Sequence, residues 1–182
     1  MEEHPAQIRR TTRETTVDLR LNVQGSGTVK FDVDNYFLGH MLESFALHGQ
    51  CDLELHAQGQ DEHHLVEDVG ICLGQAIRQA VPTLNVERIA HSVVPMDEAL
   101  VLVAVDLVDR PFARVELPDP LYAHFMRSMA LDGRFTLHVR TLAGTDAHHV
   151  VEAAFKGLGR ALRQAVRAVD WLASTKGAVE RA

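Results

Sequence analysis

The sequence predicts an α+β fold of two fused half-domains, each with the element order ββαβα. Two observations carry this prediction. The chain repeats itself after about 84 residues, and in each copy apolar residues follow first the period of strands and then that of helices. A repeat of this length exceeds solenoid units and indicates two copies of one small fold unit. Helices that cover one face of a largely antiparallel or mixed sheet would bury the apolar faces economically.

The repeat can be followed residue by residue. A shift of 84 positions, which becomes 85 after one inserted residue, superposes like on like: Glu14 on Glu98, His40 on His124, His63 and His64 on His148 and His149, and Glu67 on Glu152. Six of the 11 histidines therefore have an equivalent in the other copy.

The elements of the first copy follow from its apolar spacing. Strict alternation predicts strands at 16–23, 29–33 and 51–57, with a Gly-Ser-Gly turn between the first two. Helical spacing predicts a short helix at 37–47, which ends near Gly49, and a longer one from 66 that ends near Pro82.

The second copy repeats this order. Its strands are predicted near 99–107, 112–117 and 134–141, and its helices near 121–131 and 148–169. The half-domains are expected to span 9–86 and 87–170, followed by a tail at 171–182.

Composition excludes several classes of protein. A formal net charge of −7 argues against a nucleic-acid surface. No run approaches the ~20 apolar residues of a membrane span, and residues 1–10 lack the apolar segment of a signal peptide. We expect a cytoplasmic protein in which Cys51 and Cys72 are buried, reduced thiols.

The motif His-His-x-x-Glu opens the long helix of each copy. Residues four apart on a helix share a face, so His63 and Glu67 can hold one metal ion, as can His148 and Glu152. The second histidine of each pair is rotated by about 100° and points elsewhere. Two different ions are therefore predicted.

Two ligand sets follow as a hypothesis: His63, Glu67, His124 and His149 for one ion, and His148, Glu152, His40 and His64 for the other. Imidazole and carboxylate ligands with open positions suit Mn²⁺, Fe²⁺ or Zn²⁺, and the missing thiolates argue against a structural zinc site. Spacing leaves open whether the ligands come from one chain or several. The unpaired histidines are expected to serve surface or packing roles: His4, His48, His56, His91 and His138.

Several motifs together resemble the imidazoleglycerol-phosphate dehydratase family. They read Arg-Glu-Thr at 13–15, Phe-Leu-Gly-His-Met-Leu at 37–42, the run from Asp61 to Ile71, Pro-Met-Asp-Glu at 95–98, the run from His148 to Lys156, and Ser-Thr-Lys-Gly at 174–177. The resemblance covers nearly the whole chain in the family's order.

The resemblance implies an enzyme that removes water from imidazoleglycerol phosphate to give imidazoleacetol phosphate in histidine biosynthesis. It implies half-domains like the second domain of ribosomal protein S5, two Mn²⁺ ions per active site that stabilise an imidazolate, and a shell of 24 subunits with sites between chains. The expected partners are a small phosphorylated imidazole and other copies of the chain.

The resemblance also assigns residues. It places Glu14 as the general acid and base, with Asp97 and Glu98 near the substrate ring, and adds Glu152 and Lys156 to the reaction centre. The residues expected to bind the phosphate are Arg88, Arg110, Lys156, Ser174 and Lys176, of which the last two lie in the tail.

The chain departs from the family pattern at several positions. Gly39 and Asp146 replace Asp and Asn, Val108-Asp109 replaces Ser-Gly before Arg110, and the loop before His63 is about three residues shorter than in the family pattern. Two alternatives to the dehydratase therefore stay open: a metal-dependent hydrolase on the same ligand frame, and a divergent, non-catalytic shell protein that metal binding assembles.

Overall fold

A computed structural model describes residues 5–81 and 86–170. The first half holds four strands and two helices: β1 (Ala6–Thr11), β2 (Thr15–Asn22), β3 (Val29–Val33), α1 (Tyr36–Gly49), β4 (Asp52–Gly59) and α2 (Glu62–Ala80). The second half repeats them: β5 (Ile89–Met96), β6 (Ala99–Asp106), β7 (Phe112–Glu116), α3 (Pro120–Asp132), β8 (Thr136–Ala143) and α4 (Ala147–Ala165).

Each half forms one mixed sheet, and the two sheets have equivalent strand orders, β1-β2-β4-β3 and β5-β6-β8-β7. Antiparallel pairing joins the first three strands of each order, and the last strand pairs in parallel. Along β2 and β6 every second residue is buried, so one face of each sheet meets the helices.

The helices of one half pack against the helices of the other. α1 lies along α4 and α2 along α3, while α2 also covers the first sheet and α4 the second. Large side chains such as Phe45, Phe125 and Phe155 are fully buried in this layer. The packing matters for function because it brings a short helix of one half beside a long helix of the other.

Equivalent glycines allow both helix pairs to approach closely. A Cβ atom at Gly159 of α4 would lie 2.3 Å from the Phe45 carbonyl oxygen of α1. At Gly74 of α2 it would lie 2.1 Å from the Met129 carbonyl oxygen of α3. Only residues without a side chain permit backbones to meet at these distances.

The structure confirms the duplicated α+β fold and adds one strand at the start of each half. β1 and β5 were not predicted, and both are edge strands of their sheets. The predicted half-domain limits at 9–86 and 87–170 remain a prediction, and the tail at 171–182 lies outside the described residues. Within the part of the chain that is described, no helix is long and apolar enough to cross a membrane.

Candidate metal centres

Both histidine pairs lie in the first turn of a long helix, and an aspartate fixes that turn. Asp61 caps α2 and accepts a hydrogen bond from the backbone N–H of His64 at 3.0 Å. Asp146 caps α4 and accepts from His148 at 2.8 Å. The two caps fix the backbone of the first turn, so that each histidine pair leaves the helix start in a defined direction.

The first group of ligand atoms joins α2 to α3. His63, Glu67 and His124 place one ligand atom each within 4.8 Å of one another. Glu67 Oε1 lies 3.1 Å from His124 Nε2, and the rings of His63 and His124 stack at 5.2 Å. Three of the four residues predicted for this ion are thus brought together.

The second group joins α4 to α1 in the same way. His40, His148 and Glu152 form the equivalent cluster, with Glu152 Oε2 3.3 Å from His40 Nε2 and 3.2 Å from His148 Nε2. Phe37 supports it with an edge-on contact to the His148 ring at 5.1 Å. Again three of the four predicted residues meet.

The remaining histidine of each pair turns away from both groups. The rings of His63 and His64 are nearly perpendicular, at 86°, as are those of His148 and His149. The divergence expected from helix geometry is therefore present. Among residues 5–81 and 86–170 of one chain, neither His64 nor His149 joins a three-residue group, and each faces a carboxylate on its own half.

These carboxylates are the repeat-equivalent pair Glu14 and Glu98. Glu14 Oε2 lies 2.9 Å from His64 Nδ1, and Glu98 Oε2 lies 2.8 Å from His149 Nδ1. Such a contact selects the tautomer whose Nε2 is free for a metal ion. Asp97, with φ of 47°, lies 3.6 Å from His149 Nε2.

The two carboxylates differ in their surroundings. Glu98 also accepts hydrogen bonds from the backbone N–H groups of Asp146 at 2.9 Å and Thr145 at 3.2 Å. The Asp146 bond, followed by the bond from His149, lowers the pKa of Glu98 to about 2. The Glu98 side chain in turn raises the pKa of His149. Glu98 is thus held as an anion that orients His149.

Lys156 lies one turn beyond Glu152 on α4. Its Nζ is 2.8 Å from Glu152 Oε1 and 3.0 Å from Met96 Sδ. Burial alone would raise the pKa of Glu152, but hydrogen bonds from Lys156 and His40 outweigh it and hold that pKa below its ordinary value. Glu152 therefore stays ionised although it is buried.

Two residues expected at the phosphate lie at the far end of the second sheet. Arg88 precedes β5, and its Nε is 2.8 Å from Asp106 Oδ1, without the alignment of a hydrogen bond. Arg110 is exposed between β6 and β7. The eight residues of β5 separate this end from Glu98 by roughly 25 Å at about 3.3 Å per residue. Arg88 and Arg110 are therefore far from Glu98 of the same chain, and Ser174 and Lys176 lie outside the described residues.

Two of the departures from the family pattern have local structural roles. Asp109 accepts a hydrogen bond from Arg134 Nε at 2.9 Å and lies 3.3 Å from Arg78 Nη2. Its negative charge is therefore neutralised by these two arginines and not by Arg110. Asp146 caps α4 with its side-chain oxygen, as an asparagine would. At Gly39 an added Cβ would have room, 3.8 Å from Val33.

Three of the unpaired histidines have other surroundings. His56 Nδ1 contacts Asp32 at 2.6 Å, the His138 ring lies against Phe112, and His48 is half-buried near the end of α1. The expected surface and packing roles suit these positions. His4 lies outside the described residues.

Fold and site together define a class: a duplicated α+β protein with two groups of histidine and carboxylate side chains suited to metal ions, each formed where a long helix of one half meets a short helix of the other. The chain belongs to the imidazoleglycerol-phosphate dehydratase family, whose model matches residues 34–162. This family comprises hydro-lyases of histidine biosynthesis, and the resemblance inferred from the motifs is confirmed.

Similar proteins agree over almost the full length. The imidazoleglycerol-phosphate dehydratase of Desulforudis audaxviator is 45% identical, with 96% of this chain and 97% of the relative covered. That of a Roseiflexus species is 48% identical, with 94% and 96% covered. The crystal structure of the Pyrococcus furiosus enzyme in complex with (S)-C348 superposes with a TM-score of 0.82 at 37% identity, covering 94% of this chain and 100% of that one. The Staphylococcus aureus enzyme gives 0.81 at 30%, with 91% and 100% covered.

Proposed function

We propose that this chain dehydrates imidazoleglycerol phosphate to imidazoleacetol phosphate with the help of two divalent cations, Mn²⁺ being the expected ion. The observation that supports this most strongly is the pair of repeat-equivalent groups, each with two imidazoles and one carboxylate, at the two contacts between a long and a short helix. Family membership supplies the substrate class.

The donor atoms fit such ions. In each group the ligand atoms lie within 4.8 Å of one another, and the mixed nitrogen and oxygen donors suit Mn²⁺ and its neighbours. His63, Glu67 and His124 would hold one ion, and His40, His148 and Glu152 the other. Both groups are partly open to solvent, so a fourth protein ligand and the substrate can enter.

We infer that the fourth ligands come from other copies of the chain. His64 and His149 face carboxylates of their own half, and the Arg88 end of the second sheet lies roughly 25 Å from Glu98, at about 3.3 Å per residue of β5. In a closed assembly, a neighbouring copy could supply His64, His149 and Arg88 to each site. Their separation within one chain is therefore in line with the expected 24-subunit shell, in which the sites lie between chains. The cytoplasmic location expected from the sequence also stays a prediction.

The reaction needs help because the C–H bond to be broken lies beside an imidazole ring and is only weakly acidic. Two cations bound at the ring nitrogens would act as Lewis acids and draw electron density from that carbon. Glu14 is our proposed proton carrier because its side chain is exposed and contacts His64. Glu98 is better suited to orienting His149, because its low pKa makes it a poor acid.

The remaining residues would hold the substrate. Arg88, Arg110 and Lys156, with Ser174 and Lys176 of the tail, are the proposed phosphate ligands, and arginine can grip a phosphate through two parallel hydrogen bonds. Asp97 adjoins His149 and is proposed to lie near the ring. Loss of the Asp106 partner would free Arg88 for this role.

The experiment is to incubate Mn²⁺-loaded protein with imidazoleglycerol phosphate and measure imidazoleacetol phosphate. We expect product with the wild type, and none with Glu14→Gln at unchanged metal content. His91→Ala serves as a matched control for an exposed histidine outside the groups. Bound metal without product would favour the non-catalytic shell. Hydrolysis of generic phosphate esters would favour the hydrolase.

A further inference from the structure

We propose that Lys156 makes the two metal groups unequal, so that the Glu152 group binds its cation more weakly than the Glu67 group and fills second. This inference rests on the proposed function, because it concerns the same pair of cations.

The first observation is that Lys156 occupies one oxygen of the Glu152 carboxylate. Its Nζ lies 2.8 Å from Oε1, while Oε2 faces His40 and His148 at 3.3 and 3.2 Å. Both side chains are largely buried, with 20% of Lys156 and 7% of Glu152 exposed. A cation in this group can therefore bind only Oε2 of Glu152, because Oε1 is paired with the ammonium group of Lys156.

The other group has no such cation. The repeat position of Lys156 is Ile71, one turn beyond Glu67 on α2. Glu67 is 32% exposed and contacts His124, and no lysine or arginine pairs with it within residues 5–81 and 86–170. With neutral imidazoles, the Glu67 group carries a formal charge of −1. The Glu152 group is neutral when Lys156 is counted.

The positive charge of Lys156 opposes the binding of a divalent cation to the Glu152 group, and the Glu67 group has no equivalent charge among the described residues. Repulsion between the ammonium and an incoming cation is strong where both are shielded from water, because the local dielectric constant is low. Lys156 and Glu152 are shielded, whereas Glu67 is partly solvated and keeps both oxygens available. Changes beside a metal ligand typically alter affinity by about 10–100-fold, and we expect a difference of that size.

The proposed fourth ligands bias the groups in the same direction. The Glu67 group is expected to receive His149, which brings Asp97 at 3.6 Å from its Nε2. The Glu152 group is expected to receive His64, and the residue at the repeat position of Asp97 is Arg13. The residue at this position is therefore acidic in the half that supplies His149 and basic in the half that supplies His64.

The test is a Mn²⁺ titration of the metal-free full chain, with free ion followed by its electron paramagnetic resonance signal, which is a readout independent of activity. We expect two classes of site about 10–100-fold apart. Lys156→Met, which keeps the length of the side chain but not its charge, should tighten the weaker class and narrow the gap by about tenfold or more. The reciprocal variant Ile71→Lys should weaken the tighter class. Glu67→Gln should abolish the tighter class, and Glu152→Gln the weaker one.

Two ions of equal affinity in the wild type would overturn the inference, as would a Lys156→Met variant with an unchanged gap. Loss of the weaker class in Glu67→Gln would reverse the assignment and also overturn it. Circular dichroism checks folding, and if Lys156→Met misfolds, Lys156→Gln and Ile71→Lys decide the question. Absence of any bound Mn²⁺ would instead refute the proposed function.

Discussion

Gly159→Ala tests whether close helix packing builds the Glu152 group. The added Cβ would lie 2.3 Å from the Phe45 carbonyl oxygen and 2.8 Å from the Gly49 nitrogen, whereas ordinary contact begins at 3.4 Å. α4 and α1 must therefore separate by about 1 Å, because the obstacle is backbone that cannot rotate away. Overpacking costs typically 1–3 kcal/mol, offset by about 1 kcal/mol because alanine favours helix. We expect a net loss of up to about 2 kcal/mol in the free energy of unfolding.

The same separation moves His40 on α1 away from Glu152 on α4. Metal–ligand distances tolerate changes of only about 0.2 Å, so the Glu152 group should lose its ion while the Glu67 group keeps its own. Urea unfolding of the metal-free protein and metal content measure the two effects. Gly39→Ala is the matched control on α1, because its Cβ has room and should stabilise the helix by up to about 1 kcal/mol. Gly159→Ala as stable as Gly39→Ala, with two ions bound, would refute the reasoning.

Three further outcomes follow from the structure. Burial raises the pKa of both cysteine thiols to about 12, so a thiol reagent at pH 8 should label neither cysteine in the folded protein and both in urea; rapid labelling of the native protein would count against this. The hydrogen bond from Gln7 lowers the pKa of Asp18, so its contribution to stability is complete above the unfolded pKa of about 4 and fades as pH falls through the folded value. Asp18→Asn should make the free energy of unfolding less dependent on pH in the acidic range. An unchanged pH dependence would show that the Gln7–Asp18 pair does not contribute to stability. Asp68 is buried and accepts Arg10 Nε at 2.7 Å, so Asp68→Ala should cost about 1–3 kcal/mol in urea unfolding, and a cost below 0.5 kcal/mol, the usual limit for surface changes, would contradict this.

Much of the fold could be read from alternation, but β5 could not. Its outward residues Ile89 and Val93 are large and apolar, while the inward ones include Ala90 and Ser92. The inward face is small because α4 passes close by: the Ser92 hydroxyl donates to the Gly157 carbonyl at 2.8 Å. Along β5 the larger apolar residues thus face outward and small residues face inward, which only the position of α4 explains.

The sequence did not indicate β1, because Arg10 occupies an inward position where an apolar residue would be expected.

The site was predictable where a single helix fixes it and less so where helices meet. His63 and Glu67, four residues apart, meet as helix geometry requires, and His124, to which the repeat points, lies beside them. The exchange of His64 and His149 between halves does not occur within one chain, because each faces a glutamate of its own half. The contact of Lys156 with Glu152 could have been suspected from their spacing of four residues on α4.

The most direct test of the two-ion account is a crystal structure of the assembled protein, from crystals grown with Mn²⁺. Anomalous scattering at the manganese absorption edge then locates each ion. We predict two peaks per chain, one within bonding distance of Glu67 and one of Glu152, each completed by His149 or His64 of a neighbouring copy. A single peak per chain, or ions away from both glutamates, would contradict the account.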